Sequence, residues 1–282
     1  MKQLKHHFIL FLMALTSGFV WLQMMVYLLH ELYGYKPNWG YLQYCVAALS
    51  EQSLLHQVVL LGLNIMIIYS FGMVLWIICK QFVLVRKWSL YVSSNRNKSL
   101  SNQLNSQYSQ FKQRITVIDH DSILAHTFGF FRPRIVVSAK LIEQFSERQL
   151  AAILWHEWSH CRSYDPMRML FVKIMNDSLP YIPIFKRLAH YIQVWVELQA
   201  DQYSVRKMNS SYELASVLYT CSQLENRVPV GVGFADQAIN YRIQQLIEPN
   251  GKIRIPLLIA TPFLSSSLMV ILLSSVLVSS CS

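Results

Sequence analysis

The 282-residue chain is 53% hydrophobic, only 14% charged and positive in mean hydropathy, which excludes an ordinary soluble domain and points to a membrane protein. Its net charge of +10 does not make it a nucleic-acid binder, because the basic residues are interspersed with acids and form no long run. That distribution suits a cytoplasmic surface beside a bilayer, and no direct nucleic-acid binding is expected. The five scattered cysteines, Cys45, Cys79, Cys161, Cys221 and Cys281, include no CxxC pair, so neither a disulfide framework nor a cysteine-type metal site is expected.

The predicted elements begin with an N-terminal membrane region, residues 1–87. Phe8 to Leu29 carries no charge and, as a helix of about 33 Å, spans a hydrocarbon core of ~30 Å. The run is too long for a signal-peptide core and lacks a small-residue cleavage site near His30, so a retained span is expected. Leu54 to Cys79 is the second span; His56, Gln57 and Asn64 within it read as interhelical hydrogen-bonders. Lys2 and Lys5 before the first span, and Lys80, Arg86 and Lys87 after the second, place the N-terminus and the region after Cys79 in the cytoplasm. Residues 88–114 turn to Ser, Asn and Gln and read as a polar linker or a solvated helix.

Residues 115–252 read as the cytoplasmic domain. Arg114 to Asp119, Ser122 to Thr127 and Arg134 to Ser138 are predicted strands, the last two joined through Gly129 and Pro133. The segment carrying Gly129, Pro133 and Ile135 offers a candidate edge on which an extended peptide could pair, or else a hairpin that covers the core. His126 nearby reads as a surface histidine. Ser146 and Gln149 form a capping box before a helix without Gly or Pro, and that helix contains His156-Glu157-Trp158-Ser159-His160, an HExxH pattern. Residues four apart share a helix face, so His156 and His160 can hold one metal ion from one side. Glu157 then lies where its carboxylate reaches a water on that ion, the arrangement of a zinc hydrolase.

Two histidines leave zinc one protein ligand short. About forty residues on, in a helix predicted over Phe185 to Met208, Glu197 and Asp201 again lie one turn apart. Glu197 completes a His2Glu set for one Zn2+ ion, and Asp201 can accept the N–H of a ligating histidine and fix its tautomer. Between the two motifs, Asp165-Pro166 reads as a helix cap, and Met167 to Trp195 as an amphipathic hairpin at the membrane surface. A third span is expected over residues 255–279, which would put the C-terminus outside; the lipobox-like Val278 to Cys281 is read as coincidence.

HEWSH, the Glu197-Leu198-Gln199-Ala200-Asp201 motif and the stretch Phe128 to Val137 together resemble the BlaR/MecR-type membrane metallopeptidases, gluzincins related to the HtpX and CAAX-prenyl protease group. The resemblance implies His156, His160 and Glu197 as zinc ligands, Glu157 as the catalytic base and Asp201 as their support. It also implies that the Gly129–Ser138 segment supplies a strand edge beside the site, and that Arg242, in Tyr241 to Leu246, approaches the centre as a transition-state stabiliser; from the residues alone Arg242 reads as a surface arginine. The antibiotic-sensing relatives carry a penicillin-binding domain after their last membrane helix, which this sequence does not contain.

The expected fold is therefore a mainly α integral membrane protein, with three transmembrane helices and a cytoplasmic α+β zincin-like domain whose small sheet precedes the HExxH helix. The expected function is a zinc endopeptidase of the bacterial cytoplasmic membrane. By resemblance, its role is to relay a signal by cleaving a cytoplasmic BlaI/MecI-like repressor. The competing expectations are housekeeping or peptide-processing proteolysis, and a membrane receptor or scaffold that no longer cleaves. A scaffold would have no chemical need for either motif.

Overall fold

The computed structural model describes residues 2–33, 54–112, 114–225, 234–248 and 260–280. The loop expected between the first two spans, the start of the third and Cys281 lie outside the described residues. The described residues are mostly helical with one three-stranded sheet, and the chain forms two compact units.

The first unit comprises Met1–Cys79, Val172–Ala189 and Pro256–Ser282. Helix α1, Lys2–Tyr33, and helix α2, Leu54–Ser94, are the two described helices long and apolar enough to cross a membrane, over His7–Leu29 and Leu61–Ser94. Their outward residues, among them Phe8, Phe11, Leu61, Ile68 and Trp76, are largely exposed, as they would be against lipid. The C-terminal helix holds a shorter apolar stretch, Thr261–Ser274.

Helix α2 does not stop at the end of its apolar run. It continues unbroken to Ser94, a length of about 60 Å, because nothing between Lys80 and Ser94 is Gly or Pro. Residues 88–94, the start of the stretch expected as a polar linker or helix, are thus part of this helix. After a break at Asn95 to Asn97 the chain re-enters helix α3, Lys98–Gln107, capped by Asn97, whose Oδ1 accepts from Leu100 N at 3.1 Å.

The central part of the predicted hairpin, Val172–Ala189, packs among the apolar helices of the first unit. Residues 179–183, with Pro180 and Pro183, form its tip. Tyr181 OH is 2.9 Å from Ser70 Oγ, Tyr69 OH donates to Asp177 O at 3.3 Å, and Ile184 N donates to Ser266 Oγ at 2.9 Å. Leu179, Ile182 and Phe185 are fully buried there. Side chains this apolar gain more from enclosure than from an interface, and serine and tyrosine hydroxyls meet the backbone groups that the broken helix leaves open.

The second unit, Lys80–Phe171 with His190–Ile255, holds the sheet, the HExxH pattern and Glu197. Strands β1, Ile115–Ile118, β2, Ala125–Phe128, and β3, Arg134–Ser138, lie in the order β1-β3-β2, with β1 parallel and β2 antiparallel to β3. Gly129 turns the β2–β3 hairpin at φ +101°, where a Cβ would lie 3.0 Å from Arg132 O. Ser138 ends β3 and caps helix α4, Ala139–Gln144, its Oγ accepting from Leu141 N and Leu124 N.

Helix α5, Glu147–Ser163, starts at the expected capping box: Ser146 Oγ accepts from Gln149 N and Gln149 Oε1 from Ser146 N. Its apolar face, Leu150, Ile153, Leu154 and Cys161, packs on Val117, Ile135, Val137 and Phe111 in the main core. Helix α6, Asp165–Ser178, follows at once. Helix α7, Ile184–Met208, then crosses α5, where Ser204 Oγ donates to Ala152 O at 2.7 Å. Helices α8, Tyr212–Glu225, α9, Phe234–Ile247, and α10, Ala260–Ser280, complete the described chain.

Candidate metal centre

The HExxH residues sit in the C-terminal half of α5, where a capped, packed helix fixes their directions. His156 Nε2 and His160 Nε2 face one another at 3.1 Å, with the rings nearly perpendicular. Glu197 of α7 points into the same space: Oε2 is 3.5 Å from His156 Nε2, and Oε1 is 3.7 Å from His160 Nε2. One ligand atom from each of the three lies within 4.8 Å of the others. The structure thus brings together the three residues expected from the sequence.

Behind each imidazole stands a carboxylate. Asp201 Oδ1 is 2.9 Å from His156 Nδ1, and Asp165 Oδ2 is 2.9 Å from His160 Nδ1. Each carboxylate favours a proton on the Nδ1 it faces, which turns a lone pair on each Nε2 toward the shared space. Two lone pairs at 3.1 Å repel unless a cation or a proton lies between them, so the donor set fits a metal ion.

Asp165 was not foreseen as a partner of His160, since its place as a helix cap accounts for it fully. The cause is Tyr164, which ends α5 at φ +53° and folds the chain back so that Asp165 returns to the last turn of α5. Arg168 closes on the other oxygen of Asp165 at 2.8 Å. A carboxylate just past the end of the HExxH helix was the only signal for it.

Arg242 of α9 is no surface arginine; its side chain is 14% exposed. Its Nε and Nη2 bond the two oxygens of Asp201, each at 2.8 Å, and its Nη1 is 3.1 Å from Glu197 Oε2. All three guanidinium nitrogens therefore face carboxylates, two of them those of Asp201 and one that of Glu197. The carboxylates of Glu157, Asp165, Glu197 and Asp201 against the guanidiniums of Arg168 and Arg242 leave two negative charges over, which a divalent cation would neutralise.

These charges set the titration of the centre. Burial works against a charged His156, yet Asp201 and Glu197 overcome it and lift the ring to about 9. Burial likewise opposes ionisation of Glu197, but His156, His160 and Arg242 hold it below the usual carboxylate range. For Asp201 burial again pulls upward and is outweighed by Arg242 and His156. Cys161, completely buried, has its thiol pushed up to about 12 by burial.

The centre opens into a cleft of about 540 Å³ bordered by His156, Glu157, His160, Glu197 and strand β2. Ser138 N donates to Leu124 O, and Ile135 N turns the other way to Arg114 O. This parity directs the backbone groups of His126 and Phe128 at β3, and those of Ala125 and Thr127 away from it. The open edge beside the site therefore belongs to β2. Ile135 lies in the central strand with partners on both sides, and Gly129 and Pro133 belong to the turn. His126 is half-buried, its Nε2 accepting from Trp88 Nε1 at 3.0 Å, and burial lowers its pKa against the pull of Glu157.

The sequence matches the BlaR1 peptidase M56 family over residues 42–246, most of its length. It is also similar to the regulatory protein BlaR1 of Staphylococcus aureus, 21% identical over 128 residues, which cover 45% of this chain and 22% of that protein. The chain thus spans less than a quarter of that relative's length. With the HExxH helix, Glu197 facing it and two membrane-length helices in place, the chain belongs to the BlaR1 peptidase M56 family.

Proposed function

We propose that the chain is a zinc-dependent endopeptidase of the bacterial cytoplasmic membrane. The observation that carries this reading is the convergence of His156, His160 and Glu197, each imidazole backed by its own carboxylate. One Zn2+ ion held by the three would polarise a peptide carbonyl and acidify the attacking water. Glu157, buried one residue from His156, is placed to serve as the general base that would accept the water's proton and return it to the leaving amine. Asp201 and Asp165 keep the two rings turned toward the centre, and Arg242 keeps Asp201 and Glu197 charged. The open edge of β2 aligns an extended peptide by main-chain pairing, through Ala125 and Thr127.

The domain, residues 115–252, is of the zincin-like kind and works on the cytoplasmic side. Three spans, the third within 255–279, leave the N-terminus inside and the C-terminus outside. The regulatory role named for the staphylococcal relative favours a signalling function over housekeeping proteolysis. The substrate that follows is a cytoplasmic transcriptional repressor of the BlaI/MecI kind. The test is quantitative proteomics of cells carrying wild type or Glu157→Ala. One cytoplasmic protein should persist only in the variant, while the purified variant still binds one zinc per chain. Identical proteomes, or a wild type that binds no zinc, would overturn the reading.

A further inference from the structure

One contact to the catalytic base falls outside the roles assigned above. Thr127 is the third residue of β2. Its Oγ1 lies 2.9 Å from Glu157 Oε2, 2.8 Å from the Glu157 backbone carbonyl and 3.7 Å from Cys161 Sγ. A hydroxyl has one proton to give and two lone pairs to offer. The single proton is shared between two Glu157 oxygens, the carboxylate Oε2 and the main-chain carbonyl, and serves one of them at a time; a lone pair faces the thiol, a weak donor. The main chain of the same residue faces the open edge of the sheet. Thr127 thus touches both the carboxylate and the place where a peptide would pair.

From this geometry we propose that Thr127 is the positioning residue of the general base: its hydroxyl fixes the Glu157 carboxylate relative to a substrate seated on β2. The inference rests on the peptidase reading of the centre. It also goes beyond it, because nothing in the HExxH pattern calls for a threonine on a strand thirty residues upstream. Without the bond the carboxylate rotates about its last side-chain torsion. A displacement of the order of 1 Å at a reacting group costs about a hundredfold in rate. Substrate affinity should change little, since strand pairing uses backbone groups that the substitution leaves in place.

The test uses the full chain in detergent micelles, with fluorescein-labelled casein and a pool of quenched-fluorescent peptides as probes. Wild type, Thr127→Val, Thr127→Ser and Glu157→Ala are compared. Thr127→Val, equal in shape and lacking the hydroxyl, should lower kcat about 10–100-fold with KM within about twofold, and Thr127→Ser should stay within about threefold of wild type. Zinc content should be equal in all four. A second arm needs no turnover: melting midpoints of metal-free Thr127→Val, Glu157→Leu and the double variant. Coupling predicts that the valine lowers the midpoint beside Glu157 and has much less effect beside leucine. Equal turnover by Thr127→Val, a serine as defective as the valine, or additive midpoints would each overturn the proposal. If wild type cleaves none of these probes, the peptidase reading is decided by the proteomic and zinc measurements, and the midpoints alone decide whether Thr127 holds the carboxylate.

Discussion

The two histidines of the centre are held by matching chemistry and by different architecture. Behind His156, Asp201 is fully buried on α7 and is gripped on both oxygens by Arg242, an arginine forty-one residues further along the chain. Behind His160, Asp165 belongs to the next helix, reached through one left-handed tyrosine, and its partner Arg168 is a single turn away. One support is tertiary and the other is local. The difference indicates that the His156 side is anchored to the fold, and that the His160 side depends on a corner of the chain.

The sharpest way to break this asymmetry is Asp201→Ala. It leaves Arg242 buried without its main partner, and a broken buried pair costs about 3–5 kcal/mol. It also removes the acceptor behind His156, which should weaken zinc binding by about a hundredfold. Thermal melting and competition with a metallochromic chelator measure the two effects. Next in size is a pH dependence. Metal-free His156 holds its proton up to about 9, so zinc must displace that proton at neutral pH. Apparent affinity should rise about tenfold per pH unit up to about 9 and then level. Calorimetric titration in two buffers of different ionisation enthalpy should show about one proton released per zinc near pH 7.

Asp165→Ala should be milder. It should cost about tenfold in zinc affinity, with a loss of stability of about 1 kcal/mol, since Arg168 can turn to solvent. If the two aspartates prove equal in both measurements, the distinction between tertiary and local support fails. An effect on stability alone is expected at the hairpin: Gly129→Ala must adopt a left-handed backbone against Arg132 O, which costs about 1–2 kcal/mol. Melting temperature should fall by a few degrees with zinc affinity unchanged, marking Gly129 as a residue of the turn.

What the sequence made legible follows the same division. His156 with His160, and Glu197 with Asp201, could be read because helix periodicity fixes residues four apart on one face. The capping box at Ser146 was legible because its partners are three residues apart. Asp165 was hidden because its contact depends on the φ of Tyr164, a residue type that rarely adopts that conformation. Arg242 read as a surface residue because its burial depends on how α9 lies against α7, which no local pattern encodes. Ile135 does not lie on a free edge because β3 pairs parallel with β1 after the chain has passed through β2, which makes β3 the central strand. Strand order of that kind is decided by pairing across the sheet.

The corner at Tyr164 carries a kinetic consequence. A metal shell with one rigid wall and one that hangs on a strained bend should loosen in a set order. A chelator would detach the ion from the His160 flank first, while His156 and Glu197 keep hold of it. Exchange of the ion should then respond to substitutions around residues 163–165 well before its equilibrium occupancy does.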